Sequence, residues 1–323
     1  MDRPGAVAEL RAVVARFARD HTVGEDRWCV ALSGGPDSLA LTAAAATVMP
    51  TTALIVDHRL QPDSSSVAAT ARDQALALGC VRAEVLCVEV GTAGGPEAAA
   101  RAARYRALDD ARAGAPVLLA HTLDDQAETV LLGLGRGSGA RSIAGMRPCD
   151  PPWYRPLLAV RREVTHRACA ELRLTPWQDP HNTDRRYTRV RLRTDVLPAL
   201  EEALGGGVAE ALARTATALR EDNDTLDGIA AEILTRLAAG GDAGGLPTAA
   251  LAPLPEGVRR RVIRGWLLAG GAVGLTDKQI RAVDGLITAW RGQGGVAVPS
   301  AQPRTRLFAG RRSELLMLYR EPV

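Results

Sequence analysis

The chain has 323 residues, 46% hydrophobic and 24% charged, a globular composition that excludes disorder and is long enough for two domains. Its formal net charge is only +3, and no apolar run approaches the ~20 residues that a bilayer span needs, so a membrane protein is excluded. Five cysteines without a CxxC pair argue against a disulfide framework, a zinc ribbon or an iron–sulfur site. The first 21 residues hold acids among their arginines and no continuous apolar core, which predicts an amphipathic helix and a cytoplasmic location.

From residue 27 to about 136, short apolar runs alternate with helical stretches. The runs 27–33, 52–58, 81–90 and 115–122 predict strands buried on both faces, with helices at about 37–48, 64–78, 96–113 and 124–134. Repeated βα units predict an α/β fold with a doubly wound parallel sheet, whose ligands bind at the carboxyl ends of strands. Ser33, Asp57 with His58, and His121 stand at three such ends. The Gly-, Pro- and Arg-rich stretch 135–160 loses this periodicity, helix resumes at 162–173, and 179–193 is polar and charged. Gly205 to Gly207 reads as a hinge before a long helix at about 208–238, and 240–245 as a linker. Beyond it, 247–290 is helical in pattern and 304–319 resembles a hairpin.

SGGPDS at 33–38 closes the first strand and opens the first crossover helix. Gly34 and Gly35 permit close backbone approach to an anion, Pro36 suits a first helical turn, and the exposed N–H groups cradle phosphate. Ser33 and Ser38 add hydroxyls, and Asp37, expected on a solvent-facing loop, can hold Mg²⁺. A plain strand–helix turn is the alternative, but all six residues at this junction favour phosphate binding.

In HTLDDQAET (121–129), Thr122 and Asp125 fit a capping box. Asp124 and Glu128 nevertheless lie one turn apart on one face, with Asp125 and Thr129 beside them. Carboxylates gathered at a strand's end repel unless a cation intervenes, which favours ligand or catalytic duty over capping. Arg101, Arg104 and Tyr105 share another helix face, where solvated arginines over a packed ring is an equal reading. Residues 131–200 hold thirteen arginines against six acids, a regional basic bias that suits a phosphate backbone. Aromatics are too sparse for a stacking platform.

SGGPDS has neither the Gly-Lys-Ser/Thr of a Walker A loop nor a GxGxxG fingerprint. It resembles the PP-loop of the N-type ATP pyrophosphatases, which cleave ATP between the α and β phosphates. An ordered set of segments over about 27–193 resembles one family within that group, tRNA(Ile)-lysidine synthase. The set comprises VDHRLQ (56–61), PEAAARAARY (96–105), HTLDDQAETVLL (121–132), RGSGARSIAGM (136–146), RPLL (155–158), WQDPHNTD (177–184) and RVRLR (189–193). Arg59, Gln61, Ser142-Ile143 and Val190 depart from the family pattern, Arg59 and Ser142 standing where glycine is usual and Val190 where asparagine is.

The resemblance implies an ATP-dependent ligase that adenylates the wobble cytidine of tRNA(Ile) and joins free L-lysine to it. Ser33, Gly34, Gly35, Pro36, Asp37 and Ser38, with Asp57, His58 and His121, would bind ATP, and Asp37 would bind Mg²⁺. Asp124, Asp125 and Glu128 would take the lysine ammonium or Mg²⁺, and Arg104 would stabilise the transition state. Arg136, Arg189 and Arg193 would contact tRNA, with internal pairing to Asp179, Asp184 or Asp195 as the competing account for the last two. The expected domains are a PP-loop ATP-binding catalytic domain at 1–205, a connecting helix and linker at 206–245, and a small, mostly helical tRNA-contacting domain at 246–323. A homodimer is also among the expectations. Three rivals remain: a tRNA thiolation enzyme, an amide-forming synthetase for a small metabolite, and a non-catalytic nucleotide or RNA binder.

Overall fold

The computed structural model describes residues 5–59, 63–91, 95–137, 139–239, 245–300, 302 and 305–322. Leu60 and Gln61 of VDHRLQ, Ser138 of the RGSG segment, most of the expected linker (240–244) and Arg304 at the start of the expected hairpin lie outside them. The chain divides into two compact units, Met1–Ala216 and Thr217–Val323.

The first unit begins with α1 (Ala6–His21), β1 (Trp28–Ala31), α2 (Pro36–Ala45), β2 (Thr51–Asp57), α3 (Ser64–Ala77), β3 (Arg82–Cys87) and α4 (Pro96–Ala111). It continues with β4 (Val117–Leu118), α5 (Leu123–Gly135), α6 (Ala140–Ile143), β5 (Cys149–Asp150), β6 (Trp153–Tyr154) and α7 (Arg162–Glu171). A 3₁₀ turn (Pro180–Thr183), α8 (Thr188–Arg191), a π-helical turn (Leu192–Val196) and α9 (Leu197–Leu204) follow. Helix α10 (Val208–Ala239) contains the point at which the two units divide, whereas composition places its breaks at the glycine-rich segments near 205 and 245.

Six strands form one sheet in the order β3-β2-β1-β4-β6-β5, parallel except for the β5–β6 pair. Strand alternation gives the sheet two buried faces. Trp28 and Val30 of β1 point into a core with Leu10, Leu39 and Leu157, while Cys29 packs with Leu54, Leu108, Val117 and Leu119 on the other side. Helix α2 is buried along nearly all its length, and its alanine-rich sequence is what lets it sit so close to the sheet. Strand β3 departs from the expected burial on both faces. It is an edge strand, its residues half-buried or exposed, and the Arg82/Glu84 alternation already carries that reason.

The second unit adds β7 (Leu246–Pro247), α11 (Thr248–Leu251), α12 (Glu256–Ala269), α13 (Asp277–Thr288), β8 (Val296–Val298), β9 (Thr305–Arg312) and β10 (Leu315–Pro322). The terminal hairpin β9–β10 extends into a four-stranded antiparallel sheet, β7-β10-β9-β8. Its core packs Leu307, Ala309 and Leu316 of the sheet against Val262, Ile263, Leu267 and Leu286 of the helices. Arg259 and Asp284, both buried, pair at 2.6 Å between α12 and α13. Helix α13 starts in a complete capping box, Thr276 accepting from the Gln279 N–H while Gln279 accepts from Thr276. Thr276→Ala is expected to lower stability by about 1 kcal/mol, read as a shift in urea midpoint at constant slope. No helix among the described residues is long and apolar enough to cross a membrane.

Candidate active site

The strand order reverses direction between β1 and β4, so the crevice outside their carboxyl ends is the natural ligand position. SGGPDS leaves β1 there, and HTLDDQAET leaves β4 beside it. Gly34 takes φ +81°, a conformation that disfavours side chains, and its carbonyl accepts the Trp177 N–H at 2.9 Å. Gly35 caps α2, Pro36 occupies its first turn, and Ser38 Oγ lies 3.1 Å from Ser33 Oγ and donates to the Gly35 carbonyl at 2.9 Å. The loop is thus braced by its own hydroxyls at the positive end of a ten-residue helix.

A cavity of about 320 Å³ opens next to the loop, within the size range of small-molecule sites. Leu32, Ser33, Val56, Asp57, His58, Arg104 and Trp177 contribute to its wall. Burial would raise the Asp57 carboxyl, but the Arg59 N–H and the Ser64 and Ser65 hydroxyls bring it below the usual range. Asp57 therefore fixes the turn that shapes the cavity, with Arg59 at φ +53°, a left-handed conformation. His58 is pushed down by burial and by the Arg104 charge.

Arg104 is half-buried, its Nε has no hydrogen-bond partner, and burial lowers its basicity. Its guanidinium lies over the Tyr105 ring at 5.4 Å, and no carboxylate among the described residues pairs with it. A cation in that state suits an anionic ligand. Arg104→Met is expected to cut turnover about 10²-fold while leaving the melting temperature unchanged or higher, checked by steady-state rates and calorimetry.

The four acids converge. Asp37 lies in the first turn of α2 rather than on a solvent-facing loop, because Pro36 starts the helix one residue earlier. Its carboxylate accepts from the Thr165 hydroxyl and lies 3.4 Å from Arg162 Nε; burial holds its pKa above the usual carboxylate value. Asp124 accepts the Arg162 backbone N–H at 2.7 Å. Asp125 caps the helix, Oδ2 completing the box with Thr122, while Oδ1 meets Arg162 Nη2 at 2.5 Å. Glu128 has no exposed surface and is gripped by Arg193, Nε to Oε1 at 2.8 Å and Nη2 to Oε2 at 3.3 Å. Arg162 Nη1 is 3.4 Å and Arg189 Nη1 3.5 Å from the same carboxylate. Despite burial, the Arg162 charge and the capping bonds keep Asp125 below its usual pKa. His121 is pushed down to about 4, chiefly by burial, so it is neutral at physiological pH.

Two expectations change here. The carboxylates do not lack a cation, since Arg162 lies among them. Arg193 turns inward to Glu128, and Arg189, although 44% exposed, leans toward the same carboxylate and Thr129. Neither Arg189 nor Arg193 takes the alternative partners; Arg185 and Arg186 pair with Asp195 and Asp184 instead. Arg136 lies exposed at the C-terminal end of α5. Sequence reasoning missed Arg162, which nothing separates from a dozen neighbouring arginines. It also gave Trp177 no role at the site, although WQDPHNTD (177–184) stands among the segments that carry the resemblance.

The phosphate loop at this switch point defines a PP-loop protein, and the comparisons agree. A PP-loop domain model matches residues 8–200, and a TilS substrate binding domain model matches 246–312. The tRNA(Ile)-lysidine synthase of Mycobacterium tuberculosis (strain ATCC 25618 / H37Rv) is 72% identical over 324 residues, covering all of both chains. That of Mycobacterium leprae (strain TN) is 66% identical over 327 residues, again in full, and that of Nocardia farcinica (strain IFM 10152) 59% over 314, covering 97% and 98%. The U34-tRNA thiolase NcsA from Methanococcus maripaludis superposes with a TM-score of 0.54 at 17% identity, over 67% of this chain and 80% of that one, a likeness of fold. The chain belongs to the tRNA(Ile)-lysidine synthase family. It is an ATP-dependent ligase built on a PP-loop domain.

Proposed function

We propose that this chain converts the wobble cytidine of a CAU-anticodon tRNA(Ile) to lysidine. In the first step O2 of the cytidine attacks the α-phosphate of ATP and pyrophosphate leaves. In the second the lysine ε-amine attacks C2, AMP leaves, and the amine gives up a proton. The observation that carries this reading is the convergence of Asp37, Asp124, Asp125 and Glu128 beside the phosphate loop. Binding a nucleotide alone does not call for four clustered carboxylates; receiving a substrate ammonium beside it gives them a use.

The loop amides of Gly34 and Gly35 with Ser33 and Ser38 would bind the phosphates. Ser33, Asp57, His58 and Trp177 would border the nucleoside, with His121 neutral nearby. Arg104 would meet charge growing on the α-phosphate, and Asp124, Asp125 and Glu128 would orient the lysine ammonium. Among the described residues no group of three His, Cys, Asp or Glu is arranged to hold a metal by itself. Asp37 alone at the loop suits Mg²⁺, a hard cation that takes most of its ligands from phosphates and water. When bound, Mg²⁺ would neutralise charge on the phosphate oxygens. Extrusion of the cytidine from the anticodon stack would cost a few kcal/mol, drawn from tRNA contacts among which Arg136 and Arg189 are candidates.

The test incubates the protein with labelled lysine, ATP and the CAU tRNA(Ile), then analyses nucleosides. Lysidine with one pyrophosphate released per label is the expected result. Pyrophosphate release without lysine incorporation, or neither, overturns it.

A further inference from the structure

Two cations cannot occupy the same place against a carboxylate at hydrogen-bonding distance. Arg162 occupies the oxygens that the proposed reaction assigns to a substrate cation. Asp125 Oδ2 is committed to the Thr122 N–H and hydroxyl, so only Oδ1 faces the site, and Arg162 Nη2 already holds it at 2.5 Å. The same guanidinium lies 3.4 Å from Asp37 Oδ2 and 3.4 Å from Glu128 Oε1. It makes one close contact and two long ones, and it reaches acids from two different helices.

The other arginines differ. Arg193 takes Glu128 with two bonds and lies farther from Asp125 Oδ1, at 3.8 Å. Arg161 pairs with Asp124 and with Glu210, to one side of the cluster. Among the described residues only Arg162 reaches Asp37 as well as Asp125 and Glu128. Its side chain is 16% exposed, so solvent still reaches part of it.

We infer that Arg162 is a resident placeholder cation, a positioning residue that fills the space between these carboxylates before substrate arrives and exchanges for the lysine ε-ammonium when it does. This rests on the reading of lysine as the substrate amine. Without Arg162 the acids would keep an uncompensated negative charge that an incoming ammonium could meet directly. With it the site is preformed, at the cost of competition against every incoming cation. The exchange makes and breaks no covalent bond; one cation replaces another on Asp125 Oδ1 and beside Glu128 Oε1.

Lysine binding to the full-length protein, measured by calorimetry, tests this. Arg162→Ala is expected to bind lysine about tenfold more tightly, the scale of one charge-assisted hydrogen bond. Millimolar guanidinium chloride should reverse that gain in Arg162→Ala by refilling the slot and leave the wild type unchanged. Arg162→Lys, which restores a cation, should return toward wild-type affinity. Unchanged or weaker lysine binding by Arg162→Ala, or indifference to guanidinium, overturns the placeholder. Should the alanine variant fail to fold, a crystal structure of the wild type with lysine decides: the guanidinium off Asp125 supports exchange, and the same 2.5 Å contact overturns it. If the wild type forms lysidine but the variant gains no affinity, only the placeholder falls. If lysine binds neither protein, the reading of lysine as substrate falls and the placeholder with it.

Discussion

Glu128→Gln is expected to lower turnover about 10³-fold and stability by about 3 kcal/mol at once. The side chain has no exposed surface, and its charge faces Arg193, Arg162 and Arg189. Glutamine keeps the volume and the helix but leaves those guanidinium groups short of one negative charge in a poorly solvated place. For a unit of this size the loss corresponds to a fall in melting temperature of roughly 6–12 °C. Stability and chemistry can be separated with a second substitution. Glu128→Gln combined with Arg193→Gln removes both members of the pair, so part of the stability should return while turnover does not. If turnover returns together with stability, Glu128 acts only by holding Arg193, and the site acids reduce to Asp37, Asp124 and Asp125.

The same residue shows how far the sequence carries the site. Asp124, Asp125 and Glu128 share a face because helical spacing requires it, and their place at a strand's end follows from the βα alternation. That HTLDDQAET starts with a capping box was also legible, and the structure makes the box and the site parts of one carboxylate. Arg162 could not be found this way. Its position depends on the start of α7 packing against α5 and α2, a tertiary fact with no local signal. The charge map likewise counts arginines without giving their direction, which is why Arg193 could be read as surface and yet face Glu128. Strands β5 and β6 were lost for a simpler reason: two residues each leave no period to read. The second sheet was legible only at its hairpin, since β7 and β8 are also short.

Asp37→Asn should separate the two roles of the phosphate-loop carboxylate in the opposite sense to Glu128. Turnover is expected to fall about 10³-fold, since asparagine brings no charge to the phosphate side of the site. The melting temperature at pH 7 should stay level or rise. Burial holds the Asp37 carboxyl above its usual pKa even though Thr165 donates to it and Arg162 lies beside it. In the window between the unfolded carboxylate value and the raised native one, the native state holds more protons than the unfolded state. Stability therefore falls as pH rises through that window, and the ionised carboxylate is a burden on the fold at neutral pH. Asparagine still offers Thr165 an oxygen and carries no charge to desolvate, so the variant's stability should vary less with pH there than the wild type's. Calorimetry across that window, paired with pyrophosphate release at pH 7, gives both readouts. A variant that melts lower yet keeps its turnover would make Asp37 a structural partner of Thr165 and Arg162, and the phosphate loop would then act through its amides and serines alone.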